Sequence, residues 1–144
     1  MLITLKTEFN AHDIDVVRSG LAASNRVASG RDPGFFPFVF HLVDPQTGAA
    51  LGGATGRAAF DWVFLELLHV PEQLRGQGHG TRLMHEVEQF GRNHRQIGVW
   101  LDTFAFQARP FYERLGYCVF GTLEDHPKGS ARFFLQKRLD GAAV

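Results

Sequence analysis

Residues 68–81 are Leu68-His69-Val70-Pro71-Glu72-Gln73-Leu74-Arg75-Gly76-Gln77-Gly78-His79-Gly80-Thr81, and they run directly into an amphipathic segment that ends near Arg95. The pattern predicts a strand, a glycine turn and a helix. Glycines at 76, 78 and 80 permit positive φ and let a ligand approach main-chain N–H groups closely. Because the helix directs its unpaired N–H groups and the positive end of its dipole at this turn, the stretch predicts an anion site.

Spacing distinguishes among the families that bind phosphate with glycine turns. A Walker A loop requires Lys-Ser/Thr after its last glycine, whereas Gly80 is followed by Thr81-Arg82. A Rossmann fingerprint requires a different third interval and a shorter gap between strand and first glycine, although Asp102 lies at a plausible distance downstream. The spacing that fits is Arg-x-x-Gly-x-Gly, beginning at Arg75. A nucleotide-binding protein of another class stays open as an alternative.

Composition narrows the class of protein. The 144 residues predict a single domain, 1–144, large enough to bury its own core. Hydrophobic residues make up 44% and charged residues 21%, and no apolar run approaches the roughly 20 residues that span a bilayer. The net charge is zero, which predicts neither nucleic acid nor a membrane as partner. The single cysteine, Cys118, indicates a reducing compartment, so we expect a cytoplasmic protein.

Periodicity predicts the order strand, helix, three strands, helix, strand, helix, two strands. The predicted strands cover residues 1–6, 36–43, 49–59, 61–70, 99–101, 117–123 and 131–139. The predicted helices cover about 11–24, 80–95 and 108–115, with a loop at 25–34. Residues 1–6 lack the basic start and long apolar centre of a signal sequence, so a strand is favoured there. The expected fold is α+β (mixed α/β), with a twisted mixed sheet of about seven strands, a parallel pair around the glycine turn, and helices on both faces.

Two ordered motifs resemble one family. The strand, Val-Pro-Glu, glycine turn and helix resemble the acyl-coenzyme A binding motif of the GNAT superfamily of N-acyltransferases. Downstream, Ala108-Arg109-Pro110-Phe111-Tyr112-Glu113-Arg114-Leu115-Gly116-Tyr117 resembles the family's Ala-x-x-x-Tyr-x-x-x-Gly-Phe/Tyr segment. The string from Leu101 to Ala108 looks like a branch of small bacterial members. The resemblance covers residues 36–139 and implies acetyl-CoA as co-substrate and a primary amine as acceptor.

The resemblance also implies which residues contact the coenzyme. They belong to the strand end and the glycine turn, namely Leu68, His69, Val70, Arg75, Gly76, Gln77, Gly78, His79, Gly80 and Thr81. Arg75 can pair with phosphate through its guanidinium, and His79 is expected to contribute its main-chain N–H. Many relatives carry Asn seven residues before the tyrosine, where this chain has Ala105; Gln107 is the nearest replacement.

Acyl transfer to an amine requires a group that takes up a proton and a donor for the departing thiolate. The resemblance places Tyr112 where relatives keep a phenol near the coenzyme sulfur, with core packing as the alternative. Glu66 interrupts an apolar strand, and burial raises the pKa of a carboxyl unless hydrogen bonds or cations oppose it. A raised pKa suits a base, whereas a pair with an arginine is the alternative role. Other relatives carry the acid about four residues earlier, where this chain has Trp62 with Asp61 beside it. His69 is a further candidate for base or gate.

The sequence therefore predicts an acetyl-CoA-dependent N-acetyltransferase that works by direct attack in a ternary complex. A non-catalytic acyl-CoA binding module is the main alternative. The acceptor can be a small molecule or a peptide, and we expect its pocket to involve the loops 25–34 and 124–129. No His, Cys and carboxylate cluster has metal-binding spacing, so no metal is predicted, and a homodimer is allowed but not specified.

Overall fold

The computed structural model describes residues 1–142, which form two compact units divided between Pro33 and Gly34. The first unit contains helix α1, Ala11–Ser29, capped by the Asn10 side chain and ended by Gly30 in a left-handed conformation. The predicted loop at 25–34 is wrong in its first half, because no Gly or Pro interrupts the helix between residue 25 and Gly30. The prediction of one domain, 1–144, stays a prediction, and residues 143–144 lie outside the described part.

The predicted strand at residues 1–6 is wrong. This segment pairs with no other segment of the described chain. Alternating apolar residues favour an extended chain, but a strand also requires a neighbour whose N–H and C=O groups complete a ladder. The sheet consequently has six strands and not seven.

The second unit consists of one sheet and two helices. Its elements are β1 Phe36–Val43, β2 Ala50–Ala59, β3 Trp62–His69, a 3₁₀ turn Glu72–Leu74, α2 His79–Asn93, β4 Gly98–Phe104, α3 Arg109–Arg114, β5 Cys118–Glu124 and β6 Ala131–Arg138. The strand order is β1-β2-β3-β4-β6-β5, and β3 with β4 is the parallel pair. The predicted α+β mixed sheet and the parallel pair around α2 are confirmed. Strand β4 extends to Phe104, three residues beyond its predicted end.

The hydrophobic core lies against one face of the sheet, which we call the inner face. Leu83, Met84 and Val87 of α2 belong to the same buried cluster as alternate residues of the two central strands. Those strand residues are Val63, Leu65, Val99 and Leu101. Because successive strand residues point to opposite sides, the residues between them define an outer face. There Phe64 and Trp100 stack with ring centroids 3.9 Å apart.

Glycines in β2 let its neighbours approach closely. A Cβ on Gly53 would lie 1.9 Å from the carbonyl oxygen of Phe40 in β1. A Cβ on Gly56 would lie 2.2 Å from the carbonyl oxygen of Phe64 in β3. No side chain fits at either position, so these glycines permit the tight sheet that carries the site.

Candidate functional site

The two parallel strands separate part-way along their length. They pair from Trp62 to Leu65 in β3 and from Gly98 to Leu101 in β4. Beyond Leu65 and Leu101 the described residues of β3 and β4 no longer pair with each other, although both strands continue. The carboxyl ends of parallel strands are the usual place for ligands in such sheets.

A cavity of about 880 Å³ opens at this separation. Glu66, Tyr112 and every residue predicted to contact the coenzyme except Gln77 line it. The lining comes from the ends of β3 and β4, the glycine turn, the start of α2, and α3. Gln77 instead donates through Nε2 to the carbonyl oxygen of Gln73, 3.0 Å away, which braces the turn.

Glu66 is the extra residue of a β-bulge. Thr55 of β2 lies opposite Leu67 and the next residue, Gly56, lies opposite Leu65, so Glu66 has no partner in β2. Its carboxylate pairs with Arg57, and 38% of the Glu66 side chain is exposed. The Arg57 guanidinium also lies 5.1 Å from the centre of the Phe64 ring on the outer face. The sequence argument for Glu66 relied on burial, and the structure shows an accessible, arginine-paired carboxylate.

The glycine turn has the geometry of an anion site. Gly76 and Gly78 have φ of 71° and 82°, a conformation that strains other residues. A Cβ at either position would meet no described atom within 4 Å, so the space above the turn is open. Gly78 is the N-cap of α2, and its carbonyl oxygen accepts from Arg82 N at 3.0 Å. The N–H groups of the first helical residues have no partner within the helix and point toward this space.

Two side chains frame the turn. Arg75 donates through Nε to the carbonyl oxygen of Val70 at 3.1 Å, which ties the turn to the end of β3. Arg75 also lines the cavity, so its guanidinium can pair with an anion there. The Nδ1 atom of His79 is buried and has no hydrogen-bond partner among the described residues. A ligand in the cavity can supply the missing partner.

Tyr112 lines the cavity from α3. Its side chain is 6% exposed and its ring packs edge-on against Tyr117, with centroids 6.1 Å apart. Burial, with a further contribution from the negative charge of Asp102, raises the pKa of Tyr112 to about 12. The phenol therefore keeps its proton throughout the neutral range, and Tyr112 is one of the residues that line the cavity.

Gln107 supports the wall through its carbonyl oxygen. Its Oε1 accepts from the main-chain N–H of Phe104 at 2.9 Å and from Thr103 Oγ1 at 3.3 Å. These bonds hold the turn between β4 and α3, and they leave the amide nitrogen for a ligand. Gln107 is thus a structural residue of the turn as well as a predicted coenzyme contact.

The remaining candidate bases lie in different places. His69 is the last residue of β3 and lines the cavity. Asp61 lies in the hairpin turn before β3 and does not line the cavity. Five strand residues at about 3.3 Å each place it roughly 17 Å from Glu66.

Sequence reasoning missed a second carboxylate–arginine pair in the cavity. Asp102 follows Leu101, where the strands separate, and its Oδ1 accepts from Arg132 Nε at 2.6 Å. Arg132 in turn lies over the ring of Phe104, 4.9 Å from its centre. Only the register of β4 with β6, in which Phe104 faces Arg132, could have revealed this grouping.

Within residues 1–142, no group of three His, Cys, Asp or Glu side chains is arranged to hold a metal ion. No helix in this part of the chain combines the length and apolarity needed to cross a bilayer.

The model of the acetyltransferase (GNAT) family matches residues 14–117, which include the bulge, the glycine turn and Tyr112. The chain belongs to the GNAT family. The matched range also includes both parallel strands and the helix that starts at the glycine turn.

The chain is also similar to individual proteins named as acetyltransferases. The chain is 36% identical over 87 residues to an acetyltransferase of Agrobacterium fabrum, an alignment that spans 60% of this chain and 64%, less than two thirds, of the relative. It is 35% identical over 95 residues to the blasticidin-S acetyltransferase of Streptomyces morookaense, spanning 65% and 70% of the two chains. The crystal structure of an acetyltransferase from Bacillus cereus is similar with a TM-score of 0.80 at 27% identity, covering 94% of this chain and 97% of that one.

Proposed function

We propose that this GNAT protein transfers the acetyl group of acetyl-CoA to a primary amine of a small molecule, by direct attack in a ternary complex. The observation that carries the proposal is the cavity that joins the start of α2, the bulge at Glu66 and the phenol of Tyr112. The relative named for blasticidin S supports a small-molecule acceptor.

The residues around the glycine turn fit a pyrophosphate. Gly76 and Gly78 leave the space above them open, and the first turn of α2 presents unpaired N–H groups to it. Arg75 adds a positive charge at the same place. Bound there, acetyl-CoA would supply an activated acyl group as a thioester.

The acceptor approaches from the other side of the sheet. The turn and α2 occupy the inner side, whereas Glu66 reaches Arg57 on the outer face. The gap between the separated strands connects the two sides. An amine entering from the outer face therefore meets Glu66 before it reaches the thioester.

Tyr112 acts in this scheme as a hydrogen-bond donor and keeps its proton. A thiol titrates near 8.5, whereas the pKa of Tyr112 is raised to about 12. Because burial makes the phenol a weaker acid, moving its proton to the thiolate would be unfavourable. A hydrogen bond to the developing negative charge avoids this cost and still stabilises the transition state.

The protons balance without the phenol. An ammonium acceptor loses one proton to Glu66, directly or through a water, and Glu66 returns it to solvent. The neutral nitrogen then forms the amide bond while the carbon–sulfur bond breaks. The second proton leaves the nitrogen and ends on the sulfur, which gives the amide and free coenzyme A.

A screen of diverse amines for acetyl-CoA-dependent release of thiol tests the function. We expect release with at least one amine, together with calorimetric binding of coenzyme A. Binding without release from any amine would indicate the non-catalytic acyl-CoA module. Affinity for ATP or NAD with indifference to coenzyme A would indicate a nucleotide-binding protein of another class.

Two matched glycine variants test the place of the coenzyme. Gly78→Glu puts a side chain and a negative charge into the pyrophosphate space, so we expect acetyl-CoA binding to be lost. Gly129→Glu is the control, because Gly129 also has positive φ, 79°, with no described atom within 4 Å of an added Cβ, yet lies outside the cavity. Equal affinity of the two folded variants for acetyl-CoA would contradict the proposed site.

A further inference from the structure

Two phenylalanines form an exposed aromatic stack at the wall of the cavity. Phe104 and Phe106 are parallel within 7°, with ring centroids 5.1 Å apart. Both line the cavity, and Phe106 is 67% exposed. A large aromatic side chain held exposed inside a binding cavity indicates a contact surface for a ligand.

Two further side chains lie against the Phe104 ring. Arg132 lies over the Phe104 ring at 4.9 Å and is itself paired with Asp102. The ring of His126, in the turn predicted to border the acceptor pocket, lies 5.3 Å from that of Phe104. Phe104 thus contacts Arg132 and His126 as well as Phe106, and these contacts support the ring on which Phe106 stacks. A preorganised ring loses little entropy when a ligand stacks on it.

The stack lies on the acceptor side and not on the coenzyme side. Along β4, Leu101 belongs to the buried cluster on the inner face, so Asp102 and Phe104 point to the outer face. Phe104 also faces Arg132 in the register of β4 with β6, which places both side chains on that outer face. The glycine turn and α2 lie toward the inner face. A ligand on Phe106 therefore shares the side from which the amine enters.

We propose that Phe106, supported by Phe104, is a specificity-determining residue that stacks on a planar aromatic ring of the acceptor. This inference rests on the proposed function and narrows its substrate class to amines that carry such a ring. The ring lies against Phe106 while the amine extends along the cavity toward Glu66. Offset-parallel stacking of this kind favours a flat π-system over a saturated ring of similar size.

The test compares 2-phenylethylamine with 2-cyclohexylethylamine, which carry the same amine on the same spacer. We expect kcat/KM and calorimetric affinity to favour the aromatic amine by roughly two- to twelvefold. Phe106→Leu keeps an apolar side chain and should remove this preference, whereas Phe106→Trp should retain it. Phe120→Leu is the matched control, because Phe120 is 54% exposed but does not line the cavity.

Several outcomes would overturn the inference. The wild-type protein could treat the two amines equally, or accept other amines and neither of these. Phe106→Leu could weaken both amines by the same factor, or raise the KM for acetyl-CoA, which would place the ring against the coenzyme. Failure of every amine to release thiol would refute the proposed function instead, and the calorimetric comparison of the two amines would still decide the role of Phe106.

Discussion

Removal of one hydroxyl, in Tyr112→Phe, separates chemistry from packing. The ring that belongs to the buried cluster and packs against Tyr117 is retained, so the fold is preserved. Only the hydroxyl, the group that can donate a hydrogen bond, is lost. If the phenol stabilises the departing thiolate, the variant loses transition-state stabilisation while the binding of acetyl-CoA stays unchanged.

The expected size follows from the pKa of Tyr112, raised to about 12. A phenol this weakly acidic keeps its proton when a thiolate forms, so the variant loses a hydrogen bond to a charged group. Such a bond contributes about 1.5–3 kcal/mol. We therefore expect kcat to fall about 10- to 150-fold, with little change in the Kd for acetyl-CoA. Larger losses would require full proton transfer from the phenol.

The assay is thiol release under saturating amine, with Tyr117→Phe as the control. Tyr117 is also buried and donates to Glu88 Oε1 at 3.4 Å, but it does not line the cavity. Lys137 Nζ, 2.8 Å from the same oxygen, still pairs with Glu88 in that variant. We expect Tyr117→Phe to keep kcat within about twofold of the wild type, because it touches no reacting atom. Equal kcat in the wild type and Tyr112→Phe, or an equal fall in both variants, would return Tyr112 to a packing role.

Two further predictions concern the titrating groups. Glu66→Gln should slow the reaction most at low pH and move the ascending limb of the pH profile toward the pKa of the amine. Asp61→Asn, outside the cavity, should leave the pH profile unchanged. The opposite result would assign the role of base to Asp61. Burial raises the pKa of both tyrosines of the chain. The pKa of Tyr112 rises to about 12, and the negative charge of Glu88 contributes to the rise at Tyr117. Tyrosinate absorbance of the native protein should therefore appear only above about pH 10, the usual pKa of tyrosine. Between pH 10 and 12 the unfolded chain loses protons that the folded chain keeps, so the free energy of unfolding, measured in urea, should fall by up to about 1.4 kcal/mol per pH unit for each tyrosine. Ionisation of both tyrosines near pH 10 in the folded protein would contradict this.

The sequence predicted the local elements well where local signals specify them. The glycine turn, its helix and the parallel pair follow from residue types within a few positions of one another, and the structure confirms them. Strand β4 was predicted too short, because Asp102 and Thr103 lower the apolar signal although their backbone continues the ladder with β6. The predicted strand at 1–6 is wrong because a strand also depends on the segment that pairs with it, which the pattern of residues 1–6 does not reveal.

The site was predictable in part for the same reason. Residues of the glycine turn lie together because they are adjacent in sequence. The pairs Glu66–Arg57 and Asp102–Arg132 join residues from different strands, and the patterns of single strands contain no information about them. The Phe104–Phe106 stack was visible only as part of a general excess of phenylalanine.

The bulge explains why Glu66 was the hardest residue to interpret. In a regular strand Leu65 and Leu67 would share the inner face, and Glu66 between them would be a simple outer-face residue. The inserted residue changes this, because Leu67 faces Thr55 while Leu68 joins the residues packed on the core. From Glu66 onward β3 also loses its pairing with β4, so its free backbone groups on that side border the cavity. One extra residue thus opens the gap, places a carboxylate beside it, and brings that carboxylate to Arg57. The structure thus replaces the buried acid that the apolar pattern suggested with an accessible carboxylate paired with arginine, and Glu66→Gln tests whether this carboxylate takes up the proton of the amine.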